Sequence, residues 1–236
     1  MPTLIIDIET VGEDFDGLDH TTQEVLTRWI KKDSRTEAEY KYALANLKAE
    51  MGFSPLTGQI VAIGVLDVDK NKGAVYFQAP EEKLEDFEED GIKFKALSEK
   101  DMLENFWHGV ADYNEFVTFN GRSFDLPFLL IRSAVHQVRP SKNLMSNRYL
   151  NSQTFNAKHV DLLEELSYYG AVRRKGSLHL YSRAFGIASP KASGVTGDDV
   201  ARLFNEKKFL DIAHYNVGDL RATKDLYRYW RDYLKF

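Results

Sequence analysis

The sequence contains no cysteine among its 236 residues. This absence excludes disulfide bonds and metal sites built on thiolates, and it fits a reducing compartment. No apolar run approaches the roughly 18–20 residues that a membrane span requires. The chain enters its first apolar run, "MPTLIIDIE", without a preceding basic stretch, which is not typical of a signal peptide. We therefore expect a cytoplasmic protein.

An excess of basic charge is also missing, since 31 Lys and Arg stand against 36 Asp and Glu, a net charge of −5. Proteins that bind nucleic acid are often basic, so the total charge alone argues mildly against such a partner. The objection weakens if several acids hold metal ions. Two divalent cations would nearly neutralise the total, and the local charge would then matter more than the sum.

Internal repeats, low-complexity runs and clear linkers are absent from the sequence as well. Hydrophobic residues make up 43% and charged residues 28%, as in ordinary globular proteins. The length suits one large domain with a sizeable core. We predict a single domain over residues 1–236, in which residues 13–50 form a helical insertion.

Strand and helix patterns alternate along the chain. Four stretches resemble strands, namely "TLIIDIE", "GQIVAIGVLDVD", "AVYFQA" and "EFVTFNG", and the turn "NKG" predicts a hairpin between the second and third. Helical periodicity is predicted in residues 20–50, in "EKDMLENFWHGVADY", in "DLPFLLIRSAVHQV", from "VDLLEELSYY" onward and in a long final helix near residues 207–234. This order favours an α/β fold, with a mixed sheet flanked by helices.

The first strand contains two carboxylates, Asp7 and Glu9, in the stretch "LIIDIET". Alternate residues of a strand point to the same face, so the two negative charges should lie side by side. Like charges at short distance repel, and burial increases the repulsion. Such a pair calls for a compensating positive charge.

Three further aspartates each have an ordinary structural interpretation when taken alone. Asp125 and Asp161 stand where helices begin, and aspartate is a preferred helix cap. Asp219 lies four residues after Tyr215 in the final helix, so the two side chains share one helix face. Alone, Asp219 would be a solvated acid beside a half-buried tyrosine.

Taken together, the acids indicate a metal site. Asp7 and Glu9 come from a strand, Asp125 from the start of a helix, and Asp219 from a late helix. Mg²⁺ and similar hard cations prefer carboxylate oxygens that converge from separate elements. A pair of such ions can clamp a phosphate, and their charge would offset the repulsion between Asp7 and Glu9.

The motifs "DIET", "FNGRSFDLPFL" and "YNVGD", in this order, resemble the three exonuclease motifs of DEDD-type 3′–5′ exonucleases. The tyrosine four residues before the last aspartate matches the Tyr variant. The stretches "GQIVAIGV", "HVDLLEEL" and "SPKASGVTGDDVARLF" are similar to stand-alone predicted exonucleases related to the proofreading domain of family B DNA polymerases. The resemblance implies a ribonuclease H-like fold.

The resemblance also implies roles for individual residues. Asp7, Glu9 and Asp219 would hold one Mg²⁺ or Mn²⁺ ion, and Asp7 with Asp125 would hold a second. Tyr215 would orient the attacking water. The reaction would release nucleoside 5′-monophosphates from the 3′ end of a nucleic acid, with DNA favoured and RNA open.

Contacts with the substrate are predicted beside the second motif. Asn120, Arg122 and Phe124 stand next to the expected site, where an arginine can meet phosphate and an aromatic ring can stack on any base. Phe124 serves equally well as a core residue. The cluster Arg173, Arg174 and Lys175 is either a solvated loop or a contact to the nucleic-acid backbone. His159, His179 and His214 have no ligand-like spacing, and we expect structural or surface roles for them.

Two other classes of function stay open. The chain could be a nucleic-acid binding module that keeps the fold without cleavage, although the presence of every acid and the tyrosine argues against this. It could also be an endonuclease or a nucleotide phosphodiesterase with the same metal site.

Overall fold

The computed structural model describes residues 1–189, 194 and 196–235. Seven strands in this part of the chain form one sheet. They are β1 (Thr3–Gly12), β2 (Gly58–Asp67), β3 (Gly73–Phe77), β4 (Phe87–Glu89), β5 (Ile92–Ala96), β6 (Glu115–Thr118) and β7 (Lys158–Asp161). The α-helices are α1 (His20–Asp33), α2 (Glu37–Glu50), α3 (Glu99–Gly109), α4 (Asp125–Val135), α5 (Leu162–Leu166), α6 (Leu178–Phe185), α7 (Val200–Asn205) and α8 (Phe209–Tyr233).

The sheet is mixed, in the order β4-β5-β3-β2-β1-β6-β7. β1 is antiparallel to β2 and parallel to β6, which places it near the middle. One hydrophobic core lies between the sheet and α5, α7 and α8, and the other lies between the sheet and α3 and α4. The predicted α/β class with helices on both faces is confirmed.

The predicted hairpin of the second and third strands is present as the antiparallel pair β2–β3. The sequence analysis missed the hairpin β4–β5, whose loop is Asp90–Gly91. Both loop residues have positive φ, 49° and 79°, as expected for the tight turn that the dipeptide Asp-Gly favours. The short strand β7, parallel to β6, was also missed, because its four residues run directly into a helix.

The segment between β1 and β2 is helical, as predicted. α1 begins after the cap Asp19 and α2 after the cap Thr36. α1 buries Thr27 and Ile30, whereas α2 has no fully buried residue. The two helices therefore pack on the domain as an outer layer rather than extending its core.

The last helix, α8, contributes most to the core on its side of the sheet. Its 25 residues include fourteen buried ones, among them Tyr215, Asp219 and Leu220. Because this helix lies across β1 and β2, its buried face brings polar side chains to the acids of β1.

No helix in the described ranges combines the length and the hydropathy that a bilayer span requires.

The stretch "SPKASGVTGDDVARLF", which resembles the exonuclease family in sequence, is only partly described, because residues 190–193 and 195 lie outside the described residues. The remainder of that stretch includes a short 3₁₀ turn, Gly197–Asp199, and the start of α7.

Candidate active site

The candidate site lies where β1 extends beyond its neighbour β6. The last paired residues of these parallel strands are Ile5 and Val117, so the following part of β1 has no strand partner on that side. Ile5 and Val11 pack in the core beneath α8, and the alternation of a strand places Asp7 and Glu9 on the same face. A cleft at the carboxyl end of β6 is a usual ligand position in open α/β sheets.

Three of the predicted acids come together on this face. Carboxylate oxygens of Asp7, Glu9 and Asp219 all lie within 4.8 Å of one another. Glu9 and Asp219 are buried, and Asp7 is partly exposed. A strand and a helix far apart in sequence thus supply a group of oxygens of the kind that a divalent cation prefers.

Asp125 lies beside this trio without belonging to it. Its Oδ1 accepts a hydrogen bond from the backbone N–H of Ile8 at 3.1 Å, and its side chain is buried. The interpretation of Asp125 as a helix cap is wrong, because Phe124 occupies the cap position and Asp125 is the first helical residue. Its carboxylate replaces the strand partner that Ile8 lacks at the open edge of β1.

Burial, together with repulsion by neighbouring acids, raises the pKa values of Asp7, Glu9 and Asp125. Burial raises the pKa of Asp7 and of Glu9 well above the ordinary range, and the negative charge of Asp219 adds to both shifts. Burial likewise raises the pKa of Asp125 to about 7. The group that lowers the pKa of Asp7 and Glu9 is the neutral amide of Asn216. This donor set fits a divalent cation, because a cation would supply the missing positive charge.

Tyr215 is buried next to the trio, one turn before Asp219 on α8. Burial is the largest cause that raises the pKa of its hydroxyl, followed by the charge of Asp219, and the hydroxyl hydrogen-bonds to that carboxylate. The hydroxyl therefore stays protonated at neutral pH. Its chemistry is that of a hydrogen-bond donor and positioner, not of a base.

Asn216, between Tyr215 and Asp219, is a site residue that the sequence analysis missed. Its Nδ2 donates to Oδ2 of Asp7 at 2.7 Å, and its side chain is fully buried. The residue that could have indicated this role in the sequence is Gly64, which pairs with Asp7 across the β1–β2 ladder. A Cβ at Gly64 would lie 1.9 Å from Oδ1 of Asn216, so only glycine leaves room for the amide.

The loop after β6 is held by Asp161. The backbone N–H groups of Asn120 and Arg122 each donate to this carboxylate at 2.9 Å. Asp161 also accepts from the N–H groups of Leu163 and Glu164, which confirms its predicted role as a helix cap. Asn120 has a φ of 67°, a left-handed conformation that asparagine tolerates better than most residues. The loop therefore has a defined shape beside the acids.

The two other predicted substrate residues of this loop have protein contacts of their own. Arg122 donates through Nη1 to the carbonyl of Asn147 at 2.8 Å. Phe124 is half-buried, with its ring centroid 5.5 Å from that of Phe128 and 6.3 Å from that of Phe53. Phe124 therefore combines a core contact with partial exposure.

None of the three histidines considered in the sequence analysis belongs to the group that the acidic trio forms. His159 is fully buried with Nε2 2.8 Å from Oγ1 of Thr118, and burial lowers its pKa to about 3. His214 is exposed beside Glu89, and His179 contacts Ser189. In the described residues, the trio of carboxylates is the only candidate cation site built from three or more acidic or histidine side chains.

The basic cluster lies in an exposed loop before α6. Arg173 and Arg174 are exposed, and Nζ of Lys175 lies 3.2 Å from Oε1 of Glu164. One of the three positive charges of this cluster is therefore paired with a carboxylate.

The chain matches the model of a protein family described as predicted 3′–5′ exonucleases related to the exonuclease domain of PolB, over residues 55–232. The match includes the second and third motifs, whereas the first motif and the helices α1 and α2 precede it.

Similar proteins are much longer than this chain. The DNA polymerase 1 of Sulfurisphaera ohwakuensis is 20% identical and that of Sulfolobus acidocaldarius 21% identical, each over 93% of this chain and 26% of the relative. The chain thus spans about a quarter of the length of these relatives. The family B DNA polymerase structure from the hyperthermophilic archaeon Pyrobaculum calidifontis superimposes with a TM-score of 0.57, at 16% identity, over 98% of this chain and 24% of that one. The shared fold is the ribonuclease H-like fold that the motifs implied.

Proposed function

The chain belongs to the family of predicted 3′–5′ exonucleases related to the exonuclease domain of PolB, and we propose that it is a metal-dependent 3′–5′ exonuclease. The substrate would be a nucleic acid with a free 3′ end, single-stranded DNA being favoured, and the products nucleoside 5′-monophosphates. The observation that carries the proposal is the convergence of Asp7, Glu9 and Asp219, with Asp125 and Tyr215 beside them.

The proposed cofactor is a pair of Mg²⁺ or Mn²⁺ ions. Asp7, Glu9 and Asp219 would hold the first, and Asp7 together with Asp125 would hold the second. When bound, such ions activate water and stabilise the negative charge that develops on the phosphate oxygens. The support for this cofactor is the buried, mutually repelling set of carboxylates, whose repulsion a bound cation would relieve.

Tyr215 would orient the attacking water through its hydroxyl. Because its pKa is raised, the hydroxyl keeps its proton and donates it in the hydrogen bond to Asp219. The hydroxyl oxygen would then accept a hydrogen bond from the water and so fix its orientation. Alignment of a nucleophile with the reacting phosphorus contributes to the rate without any change in the charge of the residue.

The loop after β6 would hold the end of the substrate. We propose that Asn120 and Arg122 contact the sugar–phosphate backbone and that Phe124 stacks on a base. Since Nη1 of Arg122 is already bonded to the carbonyl of Asn147, only its other N–H groups would be offered to a phosphate. Nonspecific contacts of this kind suit an enzyme that must accept every base.

Cleavage of oligonucleotides labelled at the 5′ end tests the proposal. Matched DNA and RNA oligomers are incubated with Mg²⁺ or Mn²⁺, and a ladder that shortens from the 3′ end is the expected result. A single internal cut would indicate an endonuclease, and binding without cleavage would indicate a binding module. Asp219→Ala serves as the inactive control, because it removes a proposed metal ligand.

A further inference from the structure

Helix α1 packs one face on the domain and leaves the other in solvent. Thr27 and Ile30 are buried. The opposite face, here called the α1 face, consists of four exposed residues with the spacing i, i+3, i+4 and i+7, namely Val25, Arg28, Trp29 and Lys32. Trp29 is 54% exposed, although a buried indole ring contributes strongly to stability. The α1 face thus presents a large ring to solvent between two cations.

The charge around Trp29 is positive. Residues 28–35 contain four Lys and Arg against one Asp, a local charge of +3 in a chain whose net charge is −5. In the described part of the chain, the basic groups of Arg28, Lys31 and Lys32 have no carboxylate partner. Their charge is therefore available to an anion from outside the protein.

Side-chain hydrogen bonds fix the helical insertion to β1. Nε2 of Gln23, in α1, donates to the carbonyls of Phe15 and Leu18 at 3.0 and 3.1 Å. At the other end of the insertion, the hydroxyl of Thr10 donates to the carbonyl of Gly52 at 2.7 Å. Thr10 directly follows one of the acids of β1. The α1 face is therefore connected at both ends of the insertion to the strand that bears the acids.

We propose that the α1 face binds the single strand of the substrate on the 5′ side of the nucleotides in the acidic site, with a base stacked on Trp29 and phosphates paired with Arg28 and Lys32. This inference rests on the proposed exonuclease function and deepens it. Basic side chains combined with an aromatic ring bind single strands without reading their sequence. Local positive charge on an otherwise acidic chain would attract the polyanion. α1 precedes residues 55–232, which match the family, so the match assigns it no role.

The α1 face makes binding depend on the length of the strand. Its residues belong to the helical insertion, and none of them is among the residues that form the acidic site. A strand long enough to meet both should bind more tightly than one that reaches only the acids, because two linked contacts strengthen each other. Loss of the α1 face should therefore weaken the binding of long strands and leave trinucleotides unaffected.

Fluorescence anisotropy with single strands labelled at the 5′ end tests the α1 face. Every protein in this assay carries Asp219→Ala, so that the strand is bound without being cleaved. The background alone is compared with Trp29→Ala, Trp29→Phe and the double variant Arg28→Ala/Lys32→Ala. Each protein is titrated against a trinucleotide and against a strand of about 16 nucleotides, the upper end of known single-strand site sizes.

The neighbouring helix α2 provides matched controls. Tyr42 is an aromatic residue that is 71% exposed, so Tyr42→Ala controls for the loss of an exposed ring. Nζ of Lys41 lies 2.7 Å from Oε1 of Glu37, so Lys41→Ala controls for the loss of a cation that already has a partner. Thermal unfolding of each variant controls for the fold.

Removal of a stacking ring weakens the binding of a base by about 5- to 100-fold. We expect Trp29→Ala to raise Kd for the long strand by a factor in this range and Trp29→Phe to recover most of the loss. Each phosphate contact on a single strand contributes about 0.7 to the slope of log K against log salt concentration. Arg28→Ala/Lys32→Ala should therefore reduce the magnitude of this slope by about 1.4. The controls should match the background.

Three results would overturn the α1 face. They are an unchanged Kd and salt slope for the long strand, which an α1 face made for a protein partner would give, equal losses on the long strand and the trinucleotide, and equal losses in the α2 controls.

Cleavage assays of the same variants with Asp219 intact separate this inference from the proposed function. Normal cleavage together with unchanged binding of the long strand would overturn the α1 face alone. The expected losses of binding in a protein whose wild type does not cleave would contradict the exonuclease function and support the α1 face as a nucleic-acid contact.

Discussion

Nδ2 of Asn216 lies 2.7 Å from Oδ2 of Asp7, and the space that the amide occupies exists because the residue opposite Asp7 on β2 is Gly64. The hydrogen bond fixes the carboxylate that is proposed to contact both ions. Residues that orient a metal ligand commonly change metal affinity or activity by 10- to 100-fold when they are replaced. Asn216 and Gly64 are therefore expected to matter for the site although neither provides a ligand oxygen.

We predict that Asn216→Leu weakens Mn²⁺ binding by about 10- to 100-fold, because the side chain keeps a similar volume but loses its donor. Gly64→Ala should act in the same direction, since the added Cβ would displace the amide. Isothermal titration with Mn²⁺ measures both effects. In the Asn216→Ala background the cost of Gly64→Ala should largely disappear, and additive losses would contradict the coupling.

Asp219→Asn should separate stability from activity. The variant removes one of three repelling charges at nearly constant shape, so the metal-free protein at pH 8 should gain about 1 kcal/mol or more in free energy of unfolding. Cleavage should be abolished, because a neutral amide is a poor ligand for Mg²⁺. Urea unfolding with EDTA and with Mn²⁺ measures the first effect. The metal should stabilise the wild type more than the variant, and equal responses would contradict a metal site at the trio.

Tyr215→Phe keeps the buried ring and removes only the hydroxyl. We expect kcat to fall by about 10²-fold while KM stays nearly unchanged, because the lost interaction acts in the transition state. Asp219→Ala should be less active still, since it removes a ligand. Steady-state kinetics with metal titration of all three proteins provides the comparison. Full activity of Tyr215→Phe would make this tyrosine a core residue only.

Asp125 combines a structural and a proposed catalytic role, and two variants separate them. Asp125→Ala leaves the buried N–H of Ile8 without its acceptor, which should cost about 1–3 kcal/mol in free energy of unfolding. Asp125→Asn keeps an oxygen for that hydrogen bond and should stay near wild-type stability, yet lose activity with the charge. Chemical denaturation and cleavage assays of both variants test this pair of outcomes. Asp125→Asn with full activity would assign the residue to structure alone.

His159 makes the fold sensitive to acid. Its pKa is lowered to about 3 in the folded protein, against about 6.5 in an unfolded chain. Between these values the unfolded chain binds a proton that the folded protein does not. The free energy of unfolding therefore decreases as the pH decreases, by up to about 1.4 kcal/mol per pH unit. His159→Gln should have a shallower slope between pH 5 and 6.5 in urea unfolding. The control variant at the exposed residue His108, His108→Gln, should keep the wild-type slope, and an unchanged slope in His159→Gln would contradict the assignment.

The sequence predicted those parts of the site that single residues and short spacings determine. Alternation along β1 placed Asp7 and Glu9 on one face, and the four-residue spacing placed Tyr215 beside Asp219. The sequence predicts Asp125 as part of the acidic site but not its contact with the N–H of Ile8, because the two residues are 117 positions apart and no local pattern connects them. Asn216 was missed for the same reason, since its role depends on a glycine of a neighbouring strand.

The strands that escaped prediction are short or polar. β4 has only three residues, all exposed, and β7 has only four, three of them buried, so neither provides enough alternation to distinguish a strand from a loop. The hairpin β4–β5 did contain a recognisable turn, Asp90–Gly91, between residues of mixed polarity. Its position in the sheet depends on the pairing of β5 with β3, which is set by tertiary packing.

The position of α8 has a consequence for the order of folding during synthesis. The hydrogen bond from Asn216 to Asp7 spans 209 residues, and Asp219 also comes from this last helix. Contacts of such long sequence separation form late, because the intervening loop must first be closed. A chain still lacking α8 on the ribosome therefore has neither the complete set of proposed ligands nor the tyrosine. The proposed exonuclease activity would arise only after α8 has been translated, so a nascent chain would not yet have it.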